Sequence, residues 1–595
     1  MIRDDLAERI YKATKKAQRK GSLPKTEIPE VLIERPRREE HGDYATSLPL
    51  KMIADVNRAL KEAEKPKLSP MEVAGRIVHR IAEAPYIGKV EVAPPGFINL
   101  TLDEGWLAQQ VEAVLSAGDN FGSVDLGGGA PMQVEYGSAN PTGPMHVGFG
   151  RNLVLGDSLA NLLVAAGYDV QREYYVNDAG TQIAKFAESL YVRYCELLGR
   201  EPPPESGLQA GEIPEGGYQG EYVIDWARTL VVAEGKRLLE MPYEEALVET
   251  REKGLAIAME NIRRDCERMN LYYDHWFSER SLYDPEAAPE LGGSIFDRVM
   301  SILREGDHLY MKEGAVWFNA TALGGDKDEV VIKSNGQPGY FVSDIAYHYN
   351  KFRQRGFQWV IDVWGADHQG HAPRMKAMME ALNLDPDQLT LYIYQMVTVV
   401  EGGEQVRLSK RAGTQVDLRE VLDDIGPDAL RFFLVARAAD SQMDLDLDLA
   451  RQQSEENPVY YVQYGHARIA SILRYAEEQG HTDEGADVSL LSHPSELALI
   501  RKMLELPEVV SMAAERLEPH HLPHYAQDLA ATFHAFYRDC RVVSSEPADA
   551  DLTKARLRLA AAAKLVLART LTLIGVGAPD RMKDRCQQRL CGRRR

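Results

Sequence analysis

The spacing of apolar positions changes period several times along the chain, and each change marks a piece of architecture. Residues 2–20 and 71–83 repeat apolar side chains at helical spacing. Between them lie a polar, proline-containing stretch, 22–38, and Glu40-His41-Gly42-Asp43-Tyr44-Ala45-Thr46. Lys89–Val92 and Phe97–Leu102 read as strands around the turn Pro94-Pro95-Gly96. These signals predict a small α/β domain over 1–103. A helix over 103–117 and the glycine run Gly127-Gly128-Gly129 predict a linker, 104–130. A β-prone run, Gln133–Tyr136, then meets the turn residues Ser138-Ala139-Asn140-Pro141-Thr142-Gly143-Pro144. His146-Val147-Gly148 follows, and Leu153, Leu155, Leu159, Leu162 and Leu163 continue at helical period up to Gly167.

Val170–Val176 predicts a second strand, parallel to the first because a helix separates them. It ends at Asn177-Asp178-Ala179-Gly180, where a ligand crevice or a plain turn would both fit. Helical patterns fill 181–272 around a Pro/Gly/Glu-rich loop, Glu201–Gly217, and predict an insertion over about 181–310. Strands resume at Gly314–Asn319 and Glu329–Lys333. Gly339-Tyr340-Phe341-Val342-Ser343-Asp344 then leads into a helix with His348. The apolar strand Phe357–Trp364 ends in Gly365-Ala366-Asp367-His368-Gln369-Gly370-His371, before a helix (372–383) and a strand, Leu389–Val400. Alternating strands and helices predict a doubly wound parallel sheet, Rossmann-like, over 131–416. Beyond it the period is helical throughout: a connecting segment, 417–456, an all-α bundle, 457–582, and a basic tail without an apolar face, 583–595.

The strand, Gly/Pro loop and helix around residues 133–157 form a unit that presents backbone N–H groups and a helix N-terminus to phosphate. His146 stands at the mouth of that helix. This predicts an ATP site. Val406-Arg407-Leu408-Ser409-Lys410-Arg411-Ala412-Gly413-Thr414, beside Gly402-Gly403, concentrates three cations in five residues and by itself fits an exposed basic hairpin tip.

At 595 residues the chain is too long for one core, and its 44% hydrophobic and 27% charged residues suit a globular protein. No apolar run reaches the roughly 18–20 residues a membrane span needs. The first twenty residues are an amphipathic charged helix without the apolar core of a signal peptide, so a cytoplasmic protein is expected. Five dispersed cysteines (Cys195, Cys266, Cys540, Cys586, Cys591) without a C-x-x-C argue against a disulfide framework and against zinc. The net charge of −21 does not exclude nucleic acid, because local basic clusters decide that. Such clusters occur at Lys15, Lys16, Arg19 and Lys20, at Arg35, Arg37 and Arg38, and from Arg581 to Arg595.

Taken in order, these segments resemble the class I aminoacyl-tRNA synthetases, and the arginyl enzymes of bacterial type in particular. His146-Val147-Gly148-Phe149 stands at the HIGH motif of that class, and Arg407-Leu408-Ser409-Lys410-Arg411 at its KMSKS loop. Ser138-Ala139-Asn140-Pro141, Tyr175-Val176-Asn177-Asp178-Ala179-Gly180 and Trp276-Phe277-Ser278-Glu279-Arg280 resemble the arginyl enzymes more specifically. So do Gly365-Ala366-Asp367-His368, Asp428-Ala429-Leu430-Arg431 and Pro458-Val459-Tyr460-Tyr461-Val462-Gln463-Tyr464. The resemblance implies that L-arginine is activated with ATP to arginyl-adenylate and passed to the 3′-terminal adenosine of tRNA(Arg). Mg²⁺ is expected with the ATP, held by phosphate oxygens and water, and no zinc.

By the same resemblance, His146, Lys410 and Arg407 are the catalytic groups. ATP contacts fall on Ala139, Asn140, Pro141, Thr142, Gly143, Pro144, Met145, His146, Val147, Gly148, Phe149, Ser409 and Lys410. Arginine is held by Glu135, Asn140, Tyr340, Asp344, His368 and Gln369, since a planar guanidinium is best met by carboxylates. The first domain would contact the tRNA elbow and the helical bundle the anticodon. Tyr460, Tyr461 and Tyr464 could serve there as stacking faces or lie in the bundle core. Most enzymes of the family act as monomers, and they generally need their tRNA for the activation step.

Two positions depart from the class pattern. Phe149 replaces the second HIGH histidine and cannot donate to phosphate, and Asn152, three residues on, could take its place. Arg407 replaces the first KMSKS lysine. Three alternatives follow from the same residues: lysine as substrate, since an acidic pocket would suit it on charge; a tRNA-binding scaffold, favoured only by Phe149; and a small-molecule adenylyltransferase, which would not need about 180 residues of helical bundle.

Overall fold

The computed structural model describes residues 1–36, 38–209, 211–406 and 416–582. The first domain is built from α1 (Ile2–Arg19), β1 (Tyr44–Thr46), α2 (Leu48–Glu62), α3 (Pro70–Val78), β2 (Ile87–Ala93) and β3 (Phe97–Leu102). Its strands form an antiparallel sheet in the order β1-β3-β2, packed beneath α2 and α3. The sequence expectation lacked α2, whose buried face is Leu48, Met52, Val56 and Leu60. Next comes α4 (Glu104–Ala117), capped by Asp103, which accepts from the Trp106 N–H at 2.8 Å. This helix is not the free tether its linker position suggests. It buries Leu107, Val111 and Val114 against the C-terminal helices, and Glu112 pairs with Arg558 there at 2.8 Å.

The central domain follows with β4 (Pro131–Glu135), α5 (Val147–Ala165), β5 (Asp169–Val176), α6 (Thr181–Leu197), α7 (Glu221–Glu234), α8 (Tyr243–Arg268) and β6 (His275–Ser278). It continues through α9 (Ile295–Glu305), β7 (Leu309–Lys312), β8 (Ala315–Phe318), β9 (Glu329–Ile332), α10 (Tyr340–Tyr349), β10 (Trp359–Gly365), α11 (Ala372–Ala381) and β11 (Leu389–Tyr394). Five strands pair in parallel in the order β11-β10-β4-β5-β6. The chain winds from β4 toward β6 on one side and resumes at β10 on the other. The order therefore reverses between β4 and β10, where an open α/β sheet leaves its ligand crevice.

Three details differ from the sequence expectation. His275–Ser278, inside the expected insertion, is the edge strand β6 of the main sheet. The strands at 315–318 and 329–332 join β7 in a separate antiparallel sheet rather than extending the parallel one. The run read as one strand from Leu389 to Val400 breaks in two. Its second half, β12 (Val397–Glu401), pairs with β13 (Glu404–Gln405) and, further on, with β14 (Met443–Asp446). Alternation reports that a segment is extended, and says nothing of its partner.

The remainder is helical: α12 (Leu418–Ile425), α13 (Pro427–Val435), α14 (Leu447–Arg451), α15 (Pro458–Glu478), α16 (Pro494–Met503), α17 (Leu506–Arg516), α18 (His521–Asp539) and α19 (Ala550–Leu573). Helix α5 lies between the sheet and this bundle, packed on β4, β5 and β10 and on α12, α13, α17 and α19. It is buried on nearly every face, including the polar Arg151, Asn152, Asp157 and Ser158. Asp157 is paired with Arg431 of α13, which is 0% exposed. Arg431 also donates to the carbonyls of Ile574 (3.0 Å) and Met269 (2.9 Å), at the ends of α19 and α8. Asp428, one turn earlier, accepts from Gln463 Nε2 (2.8 Å) and from the Gly577 N–H (3.0 Å). The Asp428-Ala429-Leu430-Arg431 segment thus clamps the sheet domain to the bundle through its two charged residues. Among the described residues, no helix is long and apolar enough to cross a membrane.

Removing Arg431 would leave Asp157 buried without its counter-ion, a defect that typically costs about 3–5 kcal/mol. Arg431→Ala is expected to lower the free energy of unfolding by that order. Arg228→Ala, at an exposed pair with Asp225, should change it by less than about 0.5 kcal/mol. Urea unfolding followed by circular dichroism checks the contrast.

Candidate active site

Strand β4 delivers Glu135 to the carboxyl end of the sheet, and the chain turns at once. Gly137 has φ +79, and a Cβ there would meet Tyr273, Leu153 and Tyr174 within 2.9 Å, so only glycine fits. Ser138, at φ +56, donates to Glu135 Oε1 (3.1 Å) and accepts from the Tyr175 N–H (3.0 Å). The loop that follows is held from two sides. Tyr174 OH donates to the Ala139 carbonyl (3.1 Å), and Tyr222 of α7 donates to that of Thr142 (2.9 Å). Pro141, Thr142 and Met145 are buried, while Gly143 and Pro144 are half-buried and Asn140 is exposed on the crevice side. Asn140 donates to Gln182 Oε1 at 3.0 Å.

His146 is the N-cap of α5 but makes no side-chain capping bond, so its ring is left for the crevice. Burial lowers its pKa, opposed by the charge of Asp367 across the crevice, and the imidazole is neutral at pH 7. A side chain at Gly148 would come within 2.9 Å of that ring. Val147 follows Met145 into the core, and the Phe149 ring packs against His146 with centroids 4.7 Å apart. Asn152 does not substitute for the missing histidine. It accepts from the Gly137 N–H and donates to the Val363 carbonyl (2.8 Å), tying the turn after β4 to β10.

The chain leaving the basic loop is fixed to this helix mouth. His146 bridges Asp417, the Val147 N–H donates to Val416 O (3.0 Å), and the Leu418 N–H donates to Met145 O (3.0 Å). Arg407, Ser409 and Lys410 themselves lie outside the described residues.

On the other side of β4 three carboxylates converge: Glu135, Asp344 and Glu279. Asp344 does not end a strand; it lies on the second turn of α10, one turn after Tyr340. Its carboxylate forms no hydrogen bond or ion pair with a described residue. Burial pushes its pKa up to about 7, with Glu279 and Glu135 adding to the shift and His348 opposing it. Glu279, in the turn after β6, belongs to the Trp276–Arg280 segment of the family resemblance but was not among the expected arginine-binding residues. It accepts from Ser343 Oγ (2.9 Å), which in turn lies 2.7 Å from Tyr283 OH. Burial raises Glu279 as well. The Tyr175 hydroxyl stands among all three acids: burial, and then the charges of Glu279, Asp344 and Glu135, push its pKa up.

Glu135 is not free in the same sense. Its Oε2 accepts from Lys351 Nζ at 2.6 Å, and Lys351 also donates to Asp362 Oδ1 at 2.8 Å. Asp362 Oδ2 lies 2.9 Å from His348 Nε2, and His348 Nδ1 lies 2.8 Å from the Asp344 carbonyl. Lys351, Asp362 and His348 are all buried. Burial opposes the charge on Lys351, yet Asp362 and Glu135 outweigh it and keep the ammonium protonated. Burial likewise opposes the Asp362 carboxylate, yet Lys351 and His348 hold it below the usual range.

The remaining expected residues lie at the rim. Tyr340 is 68% exposed rather than packed in the pocket; its hydroxyl is 3.3 Å from Thr181 Oγ1, and Lys333 lies over its ring. His368 and Gln369 are exposed in the turn after β10, with His368 Nε2 3.4 Å from Asp367 Oδ2. Neither bonds to Glu135 or Asp344 among the described residues. In the bundle, Tyr460 and Tyr464 are half-buried and stacked at 6.1 Å, with His534 and Arg468 packed alongside. They are neither fully core nor free.

Three family models match the chain in succession: the arginyl-tRNA synthetase N-terminal domain over 4–102, the class I (R) tRNA synthetase catalytic domain over 110–434, and the DALR anticodon-binding domain over 462–582. An arginine–tRNA ligase of Dehalococcoides mccartyi is 46% identical over 581 residues, 98% of this chain and 99% of that protein. One of Heliobacterium modesticaldum is 45% identical over 591 residues, with the same coverage. The arginyl-tRNA synthetase structure of Thermus thermophilus shares the fold at a TM-score of 0.65 and 22% identity, covering 98% of this chain and all of that one. The chain therefore belongs to the arginyl-tRNA synthetase family of class I aminoacyl-tRNA ligases.

Proposed function

We propose that the crevice between β4 and β10 holds arginine on its acidic side and ATP on its His146 side. The observation that carries this is Asp344: a half-buried carboxylate without a partner among the described residues, flanked by Glu279 and Glu135. A bound guanidinium would relieve that repulsion. Asp344 and Glu279 meet the guanidinium. Glu135, already bonded to Lys351, shapes the floor. Tyr340 closes the mouth, and Asn140, His368 and Gln369 face the α-amino and carboxylate end from the rim.

The substrate carboxylate attacks the α-phosphorus of ATP in line; the bond to pyrophosphate breaks as the bond to the carboxylate oxygen forms. A 3′-terminal ribose hydroxyl of tRNA(Arg) then attacks the adenylate carbonyl and AMP leaves. His146 donates to the phosphates from the mouth of α5, and the backbone of Gly143 and Gly148 allows close approach. Lys410, with Arg407 and Ser409, meets the departing pyrophosphate from the loop anchored at Val416–Leu418. Mg²⁺ bound with ATP neutralises phosphate charge. The donors at the crevice fit a metal held by phosphate and water, with Asp367 the carboxylate whose charge reaches His146. The helical bundle takes the anticodon, with Tyr460 and Tyr464 offering stacking faces, and the first domain takes the tRNA elbow. The enzyme works as a monomer in the cytoplasm.

ATP–pyrophosphate exchange tests the assignment directly. Exchange is expected with arginine when tRNA(Arg) is present and not with lysine; exchange with no amino acid under any condition would refute it.

Asp344 also sets a pH dependence. With its pKa near 7 in the empty pocket, the carboxylate is protonated below that pH and must lose its proton to hold the cation. Arginine affinity should be flat above pH 7 and fall by about tenfold per unit below it. Asp344→Asn should weaken binding by roughly 30-fold or more and abolish the slope. Titration calorimetry of arginine between pH 5.5 and 8.5 reads both.

Phe149→His restores a phosphate donor beside His146. A faster exchange rate is expected. An unchanged rate would mean that this position has no phosphate role here.

A further inference from the structure

Away from the crevice, the turn between α17 and α18 reads Glu518-Pro519-His520-His521-Leu522-Pro523-His524. Among the described residues, Glu518, His520 and His521 are the one group of three or more His, Cys, Asp and Glu side chains whose ligating atoms all lie within 4.8 Å of one another. His521 Nε2 is 3.0 Å from Glu518 Oε2. The His520 ring lies 4.3 Å from that of His521 and 6.1 Å from that of His524, one turn on. The Glu518–His521 pair is accounted for as an ion pair, but the His520 ring forms no hydrogen bond with a described residue. Buried Pro519, Leu522 and Pro523 hold the turn in place beneath the polar side chains.

We propose that Glu518, His520 and His521, with His524 as a fourth donor, bind a divalent transition metal, Zn²⁺ by preference. Imidazole and carboxylate donors suit that ion, and four-coordinate zinc with N and O ligands at about 2.0–2.2 Å needs donors roughly 3.4 Å apart. Rotation of the half-buried His520 and His521 rings and of the exposed His524 ring would cover the remaining distance. The expectation of no zinc rested on cysteine spacing alone, which cannot report a histidine site.

The position gives the metal a structural role. His520 and His524 line a cleft of about 430 Å³ with Arg437, Ser441 and Asp444. The same 438–441 segment receives Arg151 of α5, which donates to the carbonyls of Ser441 (2.9 Å) and Ala438 (2.8 Å). A metal here would pin the start of α18 beside the strap joining the sheet domain to the bundle.

The test uses the full chain, stripped of metal with a chelator and titrated with Zn²⁺ alone in competition with a chromophoric indicator. Wild type is expected to bind one equivalent, with a rise in thermal midpoint, and Co²⁺ in its place should show the strong visible absorption of a four-coordinate site. His520→Gln/His521→Gln should bind that equivalent at least about tenfold more weakly and lose both the thermal shift and the Co²⁺ spectrum. Glu518→Gln, a milder change at the surface, should weaken it in the same direction. His368→Gln/His371→Gln in the crevice and Cys586→Ser/Cys591→Ser in the tail should retain it. Equal zinc affinity in wild type, His520→Gln/His521→Gln and Glu518→Gln, or loss of the equivalent from the crevice or tail variant instead, would overturn the proposal.

Discussion

A helix buried on nearly every face loses stability for each polar group left without a partner, and α5 carries several polar groups. Three of its buried polar side chains, Asp157, Arg151 and Asn152, each fix a neighbour. Asp157 requires Arg431, and Arg431 brings the ends of α8 and α19 with it. Arg151 requires the carbonyls of 438 and 441. Asn152 requires the turn after β4 and the end of β10. Desolvation makes each bond expensive to lose, so the helix that begins at His146 is held in one orientation relative to both the sheet and the bundle. The placement of His146 inherits that rigidity, and so does the docking of the C-terminal domain.

The amino-acid side rests on a different balance. A pocket for a guanidinium needs uncompensated negative charge in a partly dry place, and folding opposes such charge. The structure meets both demands by pairing some acids and leaving others. Lys351 bridges Asp362 and Glu135, and His348 bonds Asp362 from the other side, which lets the floor of the pocket be buried. Among the described residues Asp344 pairs with no cation, and Glu279 accepts from the Ser343 hydroxyl. The two halves of the site meet at the turn 136–146, which joins Glu135 to His146 within one loop. The spacing of those two side chains is thereby fixed by covalent connection as much as by packing.

Much of this was readable from residues alone, and the failures have physical causes. β10 stood out because a buried parallel strand is a near-continuous apolar run ending in turn residues, and β4 and β5 because β-prone residues meet turn residues on either side of a helical pattern. The four residues of β6 did not, being too short to show a period. With β6 unseen as a sheet strand, Glu279 had no reason to be aimed at the crevice. It reaches Asp344 only because β6 pairs with β5. Lys351 could not be foreseen at all, since a lysine near the end of a helix reads as solvated unless two buried acids face it. Asn152 was on the expected face of α5, but its amide was claimed by backbone groups of two other segments. Tyr340 was expected inside and lies at the mouth, because helix α10 begins at that residue and turns its ring outward.

The sequence by itself determined the identity of the chemistry. The turn residues before His146, the apolar strands and the ordered family motifs point to a class I synthetase, because local turn geometry and hydrophobic period are properties of short segments. Only the tertiary structure decided which acids are paired and which are free, which side chains hold α5, and how the bundle is clamped through Arg431. Those are matters of desolvation and of contacts between residues hundreds of positions apart. A linear pattern contains the groups but not the distances between them.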